Sequence, residues 1–306
     1  MTMISEQWPR HVLPIVRKEW YQKMTAVLSP AMQLFGVDNS KSSVEYSQGI
    51  GNLGLVPEYN SADAEGQPNA IAYDDFTHLY ETTFTHKEYA KGISIGRKLI
   101  DDNQSNMIKR KAQGLGHSFG TTRAYHASSL FNNAFATITG GDSVYLCSAS
   151  HPTNSEDDTA ISNLGTTALS YAAVVSTLQA GMDMEDDREF PMPIVYDVLY
   201  VPTALQEKAW VIVNSILKPA TANNDSNFVQ AQGLSVLVDP YLTDANNWYM
   251  VDSGMSKMHM LWFNRVLPEL ALEPSSDYNL RADYRGYMRY SFGWDDFRFI
   301  YGHNVT

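Results

Sequence analysis

Residues 42–86 contain no lysine or arginine but seven acids: Glu45, Glu58, Asp63, Glu65, Asp74, Asp75 and Glu81. Turn formers crowd the same stretch (Gly49, Gly51, Gly54, Pro57, Asn60, Gly66, Pro68 and Asn69), and its apolar runs, 50–56 and 71–76, are short. Such a segment has too little apolar surface to build its own core, so it is expected as a long hairpin or excursion. Compact domains rarely keep so long a loop unless it rests on something else. Tyr80, Thr82, Phe84 and His86, then Ile93 and Ile95, alternate along the chain, the period of strands returning from the excursion.

The charge then inverts. Lys87, Lys91, Arg97, Lys98, Lys109, Arg110, Lys111 and Arg123 face only Glu88, Asp101 and Asp102 across residues 87–125. Charge runs are usually two solvated faces. The sharper reading is that the acidic and basic stretches meet, within one chain or between neighbours.

With 306 residues, 44% hydrophobic and 18% charged, the chain is long and apolar enough for a sizeable core and too apolar for disorder. Its single cysteine, Cys147, forms no internal disulfide, which fits a reducing compartment. No run approaches the ~18 apolar residues of a membrane helix. Charged residues Glu6, Arg10, Arg17, Lys18 and Glu19 break up the N-terminus, so it lacks the apolar stretch of a secretory signal. A net charge of -12 disfavours a general nucleic-acid binder.

Asp101, Asp102 and Asn103 are helix-start residues. Ile108, Ala112, Leu115, Phe119, Thr122, His126, Leu130 and Ala134 follow at three- and four-residue spacing, which predicts a helix over 103–135, about 50 Å long if unbroken. Gly114, Gly116 and Gly120 each cost roughly 1 kcal/mol there, and a bend or break near Gly114 is expected. A polar loop over 148–167 leads to a second helix (169–182), stopped by the acidic run 183–189. A strand (195–201) and a third helix opened by Pro202 and Thr203 come next. Strands are expected at 234–238, 248–251 and 258–263, and alternating stretches with turns at Gly286 and Gly293 over 278–301. Without regular βαβ alternation the class is α+β.

Gly116-His117-Ser118-Phe119-Gly120 matches the nucleophile elbow G-x-S-x-G and raises an α/β hydrolase with Ser118 as nucleophile, partnered by Asp239 or Asp252 and His259 or His303. The elbow needs a strand before it, and residues 103–115 are polar and helix-patterned, so the match reads as chance. Cys147 and His151, with His117 and His126, lack the paired spacing of a zinc site. Glu185-Asp186-Asp187 lacks the alternating ligands of a calcium loop and reads as a solvated helix end. No phosphate-binding glycine motif is present. The residues imply no catalytic group, cofactor or metal.

Taken in order, several motifs resemble the phage Mu major head subunit and its relatives, a branch of the tailed-phage major capsid proteins with the Hong Kong 97-type fold. They are Ile93-Ser94-Ile95-Gly96-Arg97, then Leu99-Ile100-Asp101-Asp102-Asn103 and the long helix; His151-Pro152; Ile161-Ser162-Asn163; and the strand into Pro202-Thr203-Ala204-Leu205. After them come Asn223, Asn224 and Asn227; Asp239-Pro240-Tyr241-Leu242 before Trp248-Tyr249; and Arg281, Tyr284, Arg285, Phe292, Trp294 and Tyr301.

This resemblance, which runs from Tyr80 to the end, implies an N-terminal arm (1–41), an extended β-hairpin loop (42–88) lying over a neighbour, and a peripheral domain (89–167) with the spine helix at 103–135. It implies an axial domain (168–270) and return strands of the peripheral domain (271–306). It further implies a structural protein, not an enzyme, that assembles into hexamers and pentamers of an icosahedral shell around double-stranded DNA, in the virion after assembly in the host cytoplasm. No membrane is involved. Another virion component, such as a decoration or tail protein, is the remaining alternative.

The charge inversion then suggests that Glu58, Asp63, Glu65, Asp74 and Asp75 dock on Arg97, Lys98, Lys109, Arg110 and Lys111 of the next subunit. With no lysine over residues 42–86, the namesake's lysine cross-link from the body of the loop is chemically closed to it. Shell stability then comes from noncovalent overlap or an added decoration protein. Only about forty residues precede the loop, so a separate scaffolding protein is expected, and the resemblance implies a portal as a further partner. The chain starts at an initiator-like Met, so N-terminal cleavage is not expected.

Overall fold

The computed structural model describes residues 8–50, 53, 55, 56, 71, 73, 75, 78–152, 160–219, 221, 225–273 and 280–306. The segment read as an arm carries helix α1 (Trp8–Thr25), which buries Val16, Trp20 and Met24 at four-residue spacing, and then strand β1 (Gly36–Asn39). Strands β2 (Val44–Ile50) and β3 (His78–Thr85) form an antiparallel hairpin running from Val44 opposite Thr85 to Ile50 opposite His78. The return continues as β4 (Lys87–Gly96), a single turn α2 (Lys98–Asp101) and the long helix α3 (Ser105–Asn132). Short strands β5 (His151–Pro152), β6 (Ala160–Ile161) and β7 (Leu164–Gly165) precede helix α4 (Tyr171–Met182), whose N-cap Ser170 accepts from the Ala173 amide. Then come β8 (Val198–Pro202), α5 (Gln206–Asn214), α6 (Phe228–Ala231), β9 (Ser235–Asp239), β10 (Trp248–Val251), α7 (Ser253–His259), β11 (Met260–Leu272), β12 (Arg281–Trp294) and β13 (Ile300–His303).

Two sheets organise these elements. In the first, of order β1-β11-β12-β4, β1 runs parallel to β11 and the other pairs are antiparallel. One of its faces packs on α1 and α3 over Phe119, Trp262, Tyr284, Met288 and Tyr290. In the second, of order β7-β13-β10-β8-β9, α4 and α5 cover a core of Val174, Tyr196, Leu199, Val201, Ile212 and Trp248. Residues 168–270 thus contribute strands to both sheets, because β11 belongs to the first, and β13 sits in the second.

The two sheets are joined at Asp239, at the end of β9. Its fully buried carboxylate accepts from Ser128 of α3 at 2.5 Å, from the Tyr200 hydroxyl and from the Tyr241 amide at 2.8 Å. Asn132, the last residue of α3, donates to the Tyr241 carbonyl and accepts from the Thr243 amide. The end of the long helix is thereby stitched to the second sheet by hydrogen bonds to a buried charge, which are stronger than neutral ones.

The structure corrects the sequence reading at four places. First, α3 runs unbroken through Gly114. A Cβ at Gly116 would overlap the Trp20 carbonyl of α1, and one at Gly120 would sit 2.6 Å from the Met24 carbonyl. These glycines let two helices touch backbone to backbone. Second, Asp101 and Asp102 do not open α3. They end α2, Asn103 takes φ 52, and α3 begins at Ser105 after Gln104, with no side-chain cap. Third, Gly286 and Gly293 are not turns. Both lie inside the 14-residue β12, where a Cβ would fall 2.5 Å from Phe119 Cζ and 2.9 Å from Phe84 Cε1. Fourth, the acidic run after α4 is only partly a solvated end: Asp183, Glu185 and Glu189 are exposed, but the two acids between them are engaged. Asp186 is buried and accepts from the Arg188 and Phe190 amides, and Asp187 pairs with the buried Arg298 at 2.6 Å.

Candidate inter-subunit interface

The described residues of the hairpin strands have a narrow apolar foothold on the body. Phe84 alone among its described residues is deeply buried, edge-on to Phe263 at 5.2 Å and over Gly293. Tyr46 and Tyr80 remain exposed. Polar contacts fix the root. Ser47 donates to Asp295 at 2.5 Å, and Asp295 also pairs with His259 at 3.0 Å. That hydrogen bond to Asp295 holds the His259 imidazole above its usual pKa. His86 lies between the Ser40 and Ser291 hydroxyls at 3.0 and 2.9 Å. Burial, then the nearby Arg289, pushes its pKa down. A small cavity of about 80 Å³, lined by Gly49, Tyr80, His259, Asp295 and Arg298, lies at this root.

The basic residues gather at the other end of the same sheet. Arg97 and Lys98 lie at α2, and Lys109, Arg110 and Lys111 in the first two turns of α3. Consecutive positions turn by about 100° on a helix, so the last three share an end rather than a face. Positive charge at a helix N-terminus opposes the macrodipole, so this cluster does not serve α3 itself. Arg97 pairs with Asp101 at 3.5 Å and Lys111 donates to the Ser94 carbonyl at 3.0 Å. Lys98, Lys109 and Arg110 are exposed and have no ion-pair partner among the described residues.

β4 separates the two features. Lys87, beside the hairpin root, pairs with Tyr290, and Gly96, beside the basic cluster, pairs with Arg281. At ~3.3 Å per residue the two ends are about 30 Å apart. Of the five acids, Glu58, Asp63, Glu65 and Asp74 lie outside the described residues. Asp75 is exposed, and its backbone carbonyl accepts from Arg188 of the same chain at 3.4 Å.

The hydrolase alternative has no geometry. Ser118 lies in the interior of α3 with no strand-to-helix elbow, and Lys91 Nζ sits 3.1 Å from its hydroxyl. Its supposed partners are engaged elsewhere: Asp239 in the buried junction, Asp252 as the cap of α7, His259 with Asp295, and His303 stacked on Trp248. Cys147 is fully buried, and that burial pushes its thiol pKa well up. His151 pairs with Asp142 at 2.7 Å and stacks on Phe297. Among the described residues no group of three or more His, Cys, Asp or Glu side chains is placed to hold a metal. No helix there is long and apolar enough to cross a membrane.

The polar side chains that the structure adds are buried ones. Asn163 donates to the Leu146 and Ile300 carbonyls and accepts from the Ser148 amide, tying the loop after α3 to β13. Nothing in local sequence separates such an asparagine from a surface one, because its partners lie 15 and 137 residues away.

Comparison with known structures supports the fold. The chain is 13% identical to the procapsid protein of bacteriophage JBD30 over 98% of this chain and 76% of that one, with a TM-score of 0.53. The JBD30 capsid decorated with minor capsid protein trimers aligns over 71% of this chain and 92% of that one, at 15% identity and a TM-score of 0.53. The capsid of cyanophage P-SCSP1u aligns over 89% and 86%, at 11% identity and a TM-score of 0.57. The architecture is thus the α+β Hong Kong 97-type capsid fold. Comparison with curated proteins finds no match. The family model for phage capsid proteins matches residues 80–302, which run from β3 to β13 and take in every strand of the two sheets except β1, so the chain belongs to the phage capsid protein family.

Proposed function

We propose that this chain is the major head subunit of a tailed double-stranded DNA bacteriophage. Copies assemble into hexamers and pentamers of an icosahedral shell, built in the host cytoplasm and carried in the virion. The observation that carries this reading is the β2–β3 hairpin, which leaves the body on one buried aromatic foothold in a chain of the capsid family. A strand pair with so little core is stable when it rests on another surface. Within the family, the motif order from Ile93 to Trp248 supports a place near the phage Mu head subunits.

We place the peripheral domain on the first sheet with α1 and α3, and the axial domain on the second sheet with α4 and α5. The role is structural, without catalysis. A portal, a separate scaffolding protein and a decoration protein are its partners, and a charge of -12 makes the shell a container that repels packaged DNA rather than binding it.

Glu58, Asp63, Glu65, Asp74 and Asp75 of one subunit dock on Arg97, Lys98, Lys109, Arg110 and Lys111 of the next. Support comes from the unpaired bases at an end of α3 where their own helix gains nothing from them. Contact between unlike ends of a subunit is heterologous, the kind of contact that builds rings such as capsomers when its rotation closes. Negative-stain microscopy and light scattering of the full chain, with a scaffolding protein supplied where needed, test the reading. Shells, tubes or hexamer-sized rings are the expected result, and a monomer under every condition would sink it.

A further inference from the structure

Both strands of the hairpin root rest on an aspartate that is itself held by a histidine. On the β2 side, Asp295 accepts from Ser47 through Oδ2 at 2.5 Å and meets His259 Nδ1 through Oδ1 at 3.0 Å. The Asp295 amide also donates to the His259 carbonyl at 3.1 Å, so aspartate and histidine are joined twice. On the β3 side, the turn Gly140-Gly141-Asp142 presses on the strand. A Cβ at Gly141 would fall 2.7 Å from the Glu81 carbonyl oxygen and 2.8 Å from Thr82 Oγ1. Asp142 in turn meets His151 Nδ1 through Oδ2 at 2.7 Å.

The hydrogen bonds around His151 fix the form of its ring. The Asn163 side-chain nitrogen donates to the Leu146 and Ile300 carbonyls at 2.8 and 3.2 Å, and its oxygen accepts from the Ser148 amide at 2.8 Å. Asn163 therefore turns that oxygen toward His151 Nε2, 3.2 Å away. Asp142 offers only carboxylate oxygens, and its Oδ1 already accepts from the Val144 amide at 3.1 Å. Both ring nitrogens face acceptors, and only the imidazolium donates from both. The ring is fully buried and stacked on Phe297, with centroids 3.6 Å apart. Once one proton leaves, a ring nitrogen and an oxygen face each other as two acceptors without water, which is costly in a buried place.

The charged side chains lining the cavity at the root are Asp142, Asp187, His259, Asp295, Asp296 and Arg298. Arg298 is engaged by Asp187 and Asp296, at 2.6 and 2.9 Å, so its positive charge is matched before it reaches the imidazoles. Asp142 and Asp295 then favour a proton on each histidine. The hydrogen bond from Asp295 holds the His259 proton past the pH at which an ordinary imidazole loses it.

We propose that the pairs Asp142–His151 and Asp295–His259 are two proton-operated clamps that set how firmly the hairpin root is held. With both imidazoles charged, each strand of the root is seated on a fixed aspartate. As pH rises and the protons leave, Asp142 and Asp295 each lose a charged donor, and the Gly141 turn and the Ser47 contact loosen. Phe84 and the hydrogen bonds of His86 to Ser40 and Ser291 stay in place, so the root opens without detaching. The clamps belong to the folded subunit itself and do not depend on how copies assemble.

Hydrogen exchange of the full-length chain tests this, read by mass spectrometry at a series of pH values from mildly acidic to alkaline, with labelling times scaled to the intrinsic rate at each. Peptides covering residues 44–50 and 78–85 are expected to exchange about tenfold faster at the alkaline end, and those of β8 and β10 at one rate throughout. Root rates that do not change with pH overturn the proposal, and so does an equal acceleration of the whole chain. Two double variants separate the clamps from other titrations. With Asp142→Asn and Asp295→Asn, an amide donates to each neutral imidazole, so the root is expected to stay protected and to lose its pH response. With His151→Gln and His259→Gln, the charge is gone and the root is expected to exchange fast at every pH. A pH response as large as in the wild type, in either variant, overturns the proposal. If neither variant folds, the wild-type profile still decides.

Discussion

Gly114 and Gly116 sit two residues apart in α3 and have opposite roles. Gly114 faces open space, so Gly114→Ala gains helix propensity and is expected to stabilise the fold by up to about 1 kcal/mol. Gly116→Ala forces a Cβ into the Trp20 carbonyl and is expected to destabilise by about 1–3 kcal/mol, because backbone cannot swing aside. Urea midpoints of the two variants check both signs. His303 makes a prediction in pH. Its ring lies against Trp248 at 3.8 Å, between Thr167 and Thr177, and burial holds its pKa down at about 4. The unfolded chain therefore takes up a proton between pH 6.5 and 4 that the folded chain refuses. The fold loses up to about 3 kcal/mol as pH falls through that window, and no more below it. Melting curves from pH 7 to 4 should show the loss, and His303→Gln should flatten it.

At the scale of elements, the root of the hairpin is fixed by polar contacts to the body. Asp295 accepts from Ser47 of β2 and pairs with His259, the last residue of α7. Asp295→Ala leaves both partners without their acceptor and is expected to cost about 1–3 kcal/mol. It should also speed thermolysin cleavage in residues 42–86 while the sheets stay intact. Because Asp295 raises the His259 pKa, this pair stabilises the fold below pH 6.5, and its contribution fades as pH rises through the folded value. Cleavage rates indifferent to the substitution would place the hairpin's anchorage elsewhere.

At the scale of the whole molecule, the root of an acidic hairpin and a basic helix end lie about 30 Å apart along β4, which suits contacts between copies. Exposed charge pairs are screened within about 10 Å at 0.1 M salt, so assembly is expected to slow and weaken as salt rises. Asp74→Lys with Asp75→Lys should suppress assembly at low salt, and adding Lys109→Glu with Arg110→Glu should restore part of it. Light scattering against time reads both. Failure of the second pair to restore assembly would separate the two patches.

The sequence by itself determined the elements whose signal is local. Apolar spacing marked α3 and α4, alternation marked β3 and β4, and composition marked the excursion and the charge inversion beside it. The order of short motifs added the family. Only the tertiary structure decided that Gly116, Gly120, Gly286 and Gly293 are points of close approach rather than bends, since the groups they admit lie far along the chain. It also decided that Arg298, Asp239 and Asn163 are buried polar joints. A glycine or an acid looks the same in sequence whether it meets water or another backbone, because the desolvation and steric terms that distinguish the two exist only once distant segments are brought together.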